Sequence, residues 1–276
     1  MNLKFKLFNH LSLTLLITLA FTFTACGSMH IHTHSYGDLG LLKEKSFDIS
    51  PGNSLVVNIS SGDVKVTYWD KSEVNVKIYG NENAFEKMDF DLSGDDETIQ
   101  IFGRKKSSAS SWFSNIGVSV EVKVPTQFNL DINTAGGDIK CGGINGNAKL
   151  NTSGGDVWAD KCSGNLNVST SGGDVNLFCK DASIDAETSG GDIKLEYDGE
   201  NKGIDLSTSG GDIDVKLPKD FNASIDLSTS GGDVSCSLTM NNVKKSRETS
   251  LVGDVNEGGE KLIAHTSGGD ITVTEK

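Results

Sequence analysis

Aspartates recur at a nearly constant interval through the second half of the chain. Six of them end the pentapeptide Thr-Ser-Gly-Gly-Asp, and Asp138 ends the variant Thr-Ala-Gly-Gly-Asp. A repeating fold would place these carboxylates in one row, where they repel unless backbone amides or a cation compensate them. One chemistry is therefore Ca²⁺ binding, but the third glycine and nine-residue period of calcium-binding repeats are missing. We predict structural turn residues instead, namely Asp138, Asp156, Asp174, Asp192, Asp212, Asp233, Asp254 and Asp270.

Three histidines near the N-terminus form a second possible chemical group. In an extended segment, His30, His32 and His34 would point to one side, and imidazole binds Zn²⁺, Cu²⁺ or Ni²⁺. Three local ligands with nothing to orient them would bind a metal loosely. We favour a polar tether without a metal, with a metal-binding accessory protein as the open alternative, and we expect no cofactor.

The remaining residues do not suggest a hydrolytic site. His265 is predicted to stand alone on an outward position, so neither a Ser-His-Asp nor a Cys-His arrangement has a base. Two carboxylates would suffice for a glycosidase, and a β-helix could supply them, but the aspartates follow the period of the turns. We therefore expect no enzyme. An envelope carbohydrate-active enzyme is the alternative.

Aromatic residues outside the repeat are candidates for contact with a partner. Trp112 and Phe113 follow a basic and serine-rich stretch, so they could form a contact loop for a partner or a lipid surface. They could equally cover an open end of the repeat structure, because end coils need capping. Trp158 is predicted to face outward two residues after Asp156 and is a second possible contact.

The cysteines suggest one cross-link. Cys162 and Cys179 are predicted in loops after adjacent coils and could form a disulfide in an oxidising compartment. Cys141 and Cys236 are predicted as small inward residues that lie too far apart to pair.

The spacing of apolar residues around each aspartate predicts the elements that carry these side chains. Positions one and three after the aspartate are mostly apolar, as in Val175 and Leu177, and so are positions six and eight before it, as in Leu150 and Ala148. Each repeat thus comprises two short strands joined by a Gly-Gly turn, with the glycines predicted at positive φ. The repeat threonine shares the buried face, so its hydroxyl should bond another threonine or the turn backbone.

Repeats of this length predict a stack of coils. The aspartates are separated by 18, 18, 18, 20, 21, 21 and 16 residues. A single repeat buries only one thin face, so neighbouring coils must complete its core. We predict an all-β, single-domain β-helix or β-solenoid with coils of about 18–21 residues. Eight coils are expected to follow one another in chain order.

The N-terminal segment predicts export and lipidation. Residues 1–25 carry two lysines and a short apolar run, which indicates a lipoprotein signal peptide rather than a membrane span. Cys26 follows in a sequence similar to a lipobox and is the predicted lipidation site. We assign residues 26–46 to a lipidated tether and 47–276 to the solenoid. Its irregular part is 47–124 and its regular part is 125–276.

Charge and the residues after Cys26 limit the partners. The formal net charge of −13 argues against nucleic acid. Gly27 and Ser28 include no acidic retention signal, which favours the outer membrane. The expected partners are the membrane, through the lipid, and an unidentified surface, glycan or protein.

Three motifs give the chain a family resemblance. They are Gly62 to Val66 followed by Tyr68-Trp-Asp70, the Val-Pro-x-x-Phe segment at Val124 to Phe128, and the Ser-Gly-Gly-Asp series. With these motifs, residues 47–276 resemble the bacterial "putative adhesin" family of β-strand-repeat proteins, many of them lipoproteins. The resemblance implies a β-helix-like solenoid at the cell envelope and no catalytic residues. We expect an adhesin-like module with a non-catalytic binding or scaffolding role.

Overall fold

The computed structural model describes residues 39–50, 52–106 and 115–276, which belong to one compact unit. Strands dominate this unit, and the predicted all-β solenoid is confirmed. Within the described ranges, the six-residue α1 (Glu82–Lys87) is the sole α-helix, and no helix has the length and apolarity to cross a membrane.

The described chain up to residue 125 is strand-rich and irregular. Its strands are β1 (Gly40–Asp48), β2 (Ser54–Ile59), β3 (Asp63–Trp69), β4 (Glu73–Gly80), β5 (Met88–Gly94), β6 (Thr98–Lys105) and β7 (Val118–Pro125). Strand β1 occupies residues that the sequence assigned to the end of the tether. That boundary was misplaced because β1 exposes most of its side chains and so lacks the apolar alternation of a buried strand.

The rest of the chain forms the regular coils and one end of the stack. The regular strands are β8 (Asn129–Thr134), β9 (Ile139–Gly142), β10 (Asn145–Thr152), β11 (Val157–Ser169), β12 (Val175–Thr188), β13 (Ile193–Asp198), β14 (Ile204–Thr208) and β15 (Ile213–Leu217). They are followed by β16 (Ala223–Thr229), β17 (Val234–Cys236), β18 (Met240–Arg247), β19 (Ser250–Val255), β20 (Lys261–Thr266) and β21 (Ile271–Glu275).

Each regular coil places one strand on either side of a Gly-Gly turn. Equivalent strands of successive coils pair in parallel and in register, so Val157 lies beside Val175 and Val175 beside Ile193. Because side chains alternate along a strand, the aliphatic positions of both strands point inward and form one continuous core. The intervening polar positions form two outer faces.

The coils do not stack in chain order at the C-terminal end. Strand β20 pairs on one side with β14 and on the other with β16, and β21 lies in the same way between β15 and β17. The coil formed by residues 261–275 is therefore inserted between coils 204–217 and 223–236. The expectation of consecutive coils is wrong here, because an in-register repeat can pair with any other repeat.

The N-terminal end has a matching insertion. Strand β2 pairs with both β6 and β8, and β3 pairs with both β7 and β9. Coil 54–69 thus lies between coils 98–125 and 129–142, which follow each other in the chain. Thus the first coil of the chain, 54–69, and the last coil, 261–275, each lie between two coils that follow one another in the sequence.

Two similar Pro-x-x-Phe segments make the connections that pass over the inserted coils. Pro125 to Phe128 joins β7 to β8, and Pro218 to Phe221 joins β15 to β16. Both phenylalanines are buried, and the Phe221 ring packs edge-on against Tyr197 with a centroid distance of 5.6 Å. The motif marks the places where the chain skips one layer.

Antiparallel strands cover both ends of the stack. At the N-terminal end, β5 pairs with β6, while β4 pairs with both β7 and β1. At the other end, β19 pairs with β16 and β18 with β19. The outermost strand β18 carries Lys244, Lys245 and Arg247, all exposed, and charges on an edge strand discourage pairing with another chain.

Candidate binding face

The repeat threonines tie each turn to its neighbour. Thr170 Oγ1 donates to the Gly155 carbonyl oxygen of the adjacent coil at 2.9 Å and accepts from the Gly173 amide at 3.3 Å. Its hydroxyl is buried, as predicted, and it bonds the turn backbone rather than another threonine. The same donation to a neighbouring glycine carbonyl is made by Thr134, Thr152, Thr188, Thr208, Thr229 and Thr266.

The repeat aspartates form a continuous row along the same edge. The Asp174 amide donates to Asp156 Oδ1 at 2.8 Å, and the Asp192 amide donates to Asp174 Oδ1 at 2.9 Å. Except for the last member of the row, each carboxylate therefore accepts a hydrogen bond from an amide of the next coil rather than from its own turn. In stacking order the row is Asp63, Asp138, Asp156, Asp174, Asp192, Asp212, Asp270 and Asp233.

Asp254 was wrongly predicted to belong to this row. It lies within β19, an antiparallel end strand, and accepts from Ser224 Oγ at 2.8 Å and from Asn242 Nδ2 at 3.1 Å. These two hydrogen bonds, first that from Ser224, lower the pKa of the Asp254 carboxyl. Its surrounding Ser-Leu-Val-Gly-Asp sequence only resembles a turn.

The prediction that the repeat glycines adopt positive φ is also wrong. Within the described ranges, none of the glycines in the repeat Gly-Gly pairs has a positive φ. The second glycine is required by close approach, because a Cβ on Gly173 would lie 2.0 Å from the Gly155 carbonyl oxygen. A Cβ on Gly172 would meet its nearest atom at 3.9 Å, an ordinary contact. The two glycines of one turn thus have different roles.

The second strands of the coils present a mixed aromatic and polar surface, which we call the Phe178 face. It consists of two outward rows that run across neighbouring strands. One row is Lys140, Trp158, Asn176, Lys194, Asp214 and Thr272, and the other is Asp160, Phe178, Glu196, Lys216 and Thr274. The Phe178 side chain is 42% exposed at the centre of this surface.

Two shallow grooves meet at Phe178. One, of about 370 Å³, is lined by residues of both rows, and the other, of about 450 Å³, lies towards the bends of neighbouring coils. Both are bordered by Phe178 and Glu196. The second groove also contains Lys161 and Asp181, two non-glycine residues with φ of 54° and 50°. Backbone conformations of this kind are costly and concentrate at functional sites.

Trp158 lies on the Phe178 face, in the outward orientation that the sequence predicted. It is half-buried, and Lys140 Nζ lies 4.5 Å from the centroid of its ring. Sequence reasoning missed Phe178, although it lies four residues after Asp174 and so has the same outward parity as Trp158. An aromatic residue on an outward repeat position was the available signal.

Comparison with known proteins identifies the family. The family model described as Toastrack DUF4097 matches residues 52–274. The chain belongs to the Toastrack DUF4097 family. This membership confirms the resemblance that the sequence motifs indicated. None of the curated proteins matches the chain.

Several solved structures are similar to this Toastrack chain at low sequence identity. A "putative cell adhesion protein" from Clostridium sporogenes is 14% identical with a TM-score of 0.35, covering 85% of this chain and 99% of its own. A "putative adhesin" from Bacteroides fragilis is 12% identical with a TM-score of 0.39, covering 86% and 97%. A "putative lipid binding protein" from Parabacteroides distasonis is 13% identical with a TM-score of 0.29, covering 85% and 96%.

On the opposite face of the Toastrack domain, His265 has a partner that the sequence did not predict. Its Nδ1 lies 2.6 Å from Ser228 Oγ, because parallel pairing of β16 with β20 places the two side chains side by side. The pair is exposed on an open sheet whose amides are used in strand pairing.

The predicted disulfide between Cys162 and Cys179 is not formed. Both cysteines lie within strands of the Toastrack domain and are buried, and both thiols are free. Cys162 Sγ is instead 3.7 Å from Cys141 Sγ. The bulge at Lys161 turns Cys162 inward, which the strict alternation used for the sequence prediction could not show.

The other predicted site residues lie outside the described ranges. They are Cys26, His30, His32, His34, Trp112 and Phe113. Within the described part of the Toastrack chain, no three His, Cys, Asp or Glu side chains are grouped so that they could hold a metal ion.

Proposed function

We propose that this protein is a non-catalytic binding module of the bacterial cell envelope, anchored by a lipid on Cys26, that binds a carbohydrate surface through the Phe178 face. The observation that carries the proposal is the exposure of Phe178, at 42%, among polar side chains on a rigid sheet.

Rigidity of the face supports a binding role. Phe178 lies in β12, which pairs in register with β11 and β13 and whose turn is held by the threonine and aspartate bonds. Side chains on such a scaffold are already placed before a ligand arrives. Binding then costs less ordering free energy than it would on a flexible loop.

The chemistry of the face fits sugars. Flat aromatic rings pack against the apolar faces of pyranose rings, while carboxylates, amides and ammonium groups bond the hydroxyls. Phe178 is flanked in register by Asp160 and Glu196, and Trp158 by Lys140 and Asn176. The open shape of the grooves favours a polymer that lies across several coils over an enclosed small molecule.

The predicted lipid anchor supports an envelope location. Strand β1 begins at Gly40, 14 residues after Cys26, which limits its distance from the lipid to about 50 Å. Acyl chains on Cys26 would hold the domain at a membrane surface. Gly27 and Ser28, the two residues directly after Cys26, are not acidic, which supports the outer membrane.

The binding proposal is tested by sedimentation with isolated peptidoglycan sacculi and with intact cells. We expect Phe178→Ala and Trp158→Ala each to weaken binding by about tenfold, since aromatic side chains near the centre of a binding surface contribute most. Phe102→Ala is the matched control, because Phe102 is 38% exposed but lies on the opposite face. Equal binding by all three variants would refute the assignment of the face.

The anchor is tested separately by cell fractionation. Cys26→Ala should move the protein from the membrane fraction to the soluble fraction without changing its thermal unfolding. Protease added to intact cells then distinguishes the two orientations. Digestion would place the solenoid outside, whereas protection until lysis would place it in the periplasm and favour scaffolding there. Membrane retention of Cys26→Ala would contradict the lipid anchor.

A further inference from the structure

Three cysteines lie near one another in the interior of the solenoid, where neighbouring coils bend. Cys141 lies in β9, Cys162 lies in β11, and Cys179 lies beside Cys162 in β12. All three are buried with free thiols. Only one pair is described in direct contact, with 3.7 Å between Cys141 Sγ and Cys162 Sγ. A disulfide bond is about 2.05 Å long, so the two sulfurs are in contact and must approach further before they can bond.

A groove leads to these sulfurs from outside. The groove of about 450 Å³ beside Phe178 is lined by Cys162 and Cys179 together with Asp160, Lys161 and Lys180. Cys141 does not line this groove. A small oxidant entering it therefore reaches Cys162 before Cys141, although Cys162 itself exposes little surface.

The surroundings of the three thiols also favour Cys162 as the most reactive one. The hydrogen bond with Cys141, followed by backbone amides at Ile144 and Gly143, lowers the pKa of Cys162. The same sulfur contact and burial raise the pKa of Cys141, and burial raises that of Cys179. Since the thiolate is the nucleophile in exchange, Cys162 is the best placed of the three to attack.

We propose that Cys162 and Cys141 form a thiol–disulfide exchange site, in which Cys162 is the attacking thiol, Cys141 is the resolving thiol, and the oxidant is a low-molecular-weight disulfide. Cys162 thiolate attacks one sulfur of the disulfide, forms a mixed disulfide and releases one thiolate. Cys141 then loses its proton and attacks Cys162 Sγ, which releases the second thiolate. The protein dithiol is oxidised to one disulfide, and the small disulfide is reduced to two thiols, which take up the protons.

The alternative partner of Cys162 is Cys179. The two are in register on adjacent parallel strands, which was the basis of the sequence prediction. In the structure, however, Cys162 directs its sulfur towards Cys141 Sγ at 3.7 Å and the Cys141 carbonyl oxygen at 3.9 Å. The geometry therefore favours a cross-link between Cys141 and Cys162, 21 residues apart.

The test uses the reduced full-length chain treated with oxidised glutathione, alkylated and mapped by mass spectrometry without reduction. The expected product is an intramolecular disulfide between Cys141 and Cys162, with Cys179 and Cys236 alkylated. Cys141→Ala should arrest the reaction at glutathionylated Cys162. Cys162→Ala should abolish both glutathionylation and cross-linking in the domain, and Cys179→Ala should react like the parent chain.

Alanine suits these substitutions because Ala159 already occupies the inward position in register with Cys141. Thermal unfolding of each reduced variant shows that it is folded before the oxidant is added. A disulfide between Cys162 and Cys179, glutathionylation of Cys179 in place of Cys162, or no reaction of folded protein at either sulfur would each overturn the proposal.

Discussion

The middle of the solenoid and its two ends are built from the same repeat but connected differently. In the middle, each coil pairs with the coils that precede and follow it in the chain, as Val157, Val175 and Ile193 show. At the ends the coils stack out of chain order: coil 54–69 lies between coils 98–125 and 129–142, and coil 261–275 lies between coils 204–217 and 223–236. The repeat therefore determines the shape of a coil, while the connections determine its place in the stack.

The inserted C-terminal coil uses the same bonds as a central coil over much longer separations. Thr266 Oγ1 donates to the Gly211 carbonyl oxygen, 55 residues away, and the Asp270 amide donates to Asp212 Oδ1, 58 residues away. On its other side, the Asp233 amide donates to Asp270 Oδ1. Removing this coil would leave two interfaces without a partner, so it joins coil 223–236 to the rest of the stack.

The largest expected effect comes from deleting one coil at each kind of position. Removing residues 157–174 takes out one 18-residue period and leaves Val175 in register with Ile139, so we expect a shorter but folded solenoid. Removing residues 261–276 leaves coils 204–217 and 223–236 separated by a gap. We therefore expect residues 204–255 to lose protection against hydrogen exchange and proteolysis. Hydrogen exchange and limited proteolysis measure both outcomes.

Equal protection of residues 204–255 in the two deletion variants would show that the end coils close the gap by themselves. The difference between middle and ends would then be one of connection alone and not of stability.

A second prediction separates the two glycines of a central turn. Gly173→Ala should destabilise the protein by about 1–3 kcal/mol or more, because its Cβ would collide with the Gly155 carbonyl oxygen. Gly172→Ala should change stability by less than about 1 kcal/mol, since its backbone is compatible and its nearest contact is ordinary. Chemical denaturation measures both. Equal effects would mean that close approach of the coils is not the reason for the second glycine.

A third prediction concerns the threonine bonds. Thr170→Val retains the shape but leaves the Gly155 carbonyl and the Gly173 amide without their hydroxyl partner, at a cost of about 1–3 kcal/mol. Thr170→Ser keeps the hydroxyl and loses one methyl group, at a cost of about 1 kcal/mol. Denaturation midpoints compare the two. A serine variant as unstable as the valine variant would assign the role to packing.

The smallest expected effect is a pH dependence that comes from Tyr197 in β13. The buried Tyr197 hydroxyl lies 2.8 Å from the Ala182 carbonyl oxygen and 2.7 Å from that of Glu200, and burial raises its pKa to about 12. The pKa of Tyr197 is thus higher in the folded protein than the value of about 10 in the unfolded chain. The hydroxyl therefore contributes its full share to the free energy of unfolding below pH 10, and this share is lost as the pH rises towards 12.

Tyr197→Phe provides the comparison for this pH dependence. The variant should be less stable at neutral pH by about 1–2 kcal/mol, because the Ala182 amide loses its acceptor. Its melting temperature should fall less steeply between pH 10 and 12 than that of the parent chain. If the melting temperatures of the variant and the parent chain fell equally between pH 10 and 12, other groups, such as the buried thiols, would control alkaline unfolding.

The sequence predicted the candidate site unevenly. The alternation of inward and outward positions along a strand was sufficient to place Trp158. The same rule applied to Phe178 would have located the centre of the Phe178 face. The role of the second glycine could not be predicted, because it depends on a carbonyl of the adjacent coil. The partner of Cys162 depends on a bulge at Lys161, which shifts the alternation by one residue.

By itself, the sequence determined the coil: two strands with alternating apolar residues, a Gly-Gly turn, and a buried threonine beside an aspartate in every period. These properties follow from local geometry and from the need of each thin layer to bury one face. Only the tertiary structure decided the order of the coils, the exclusion of Asp254 from the aspartate row and the contact between Cys141 and Cys162. Identical repeats pair equally well with any other repeat, so their order depends on the connecting segments and on which ends they can reach.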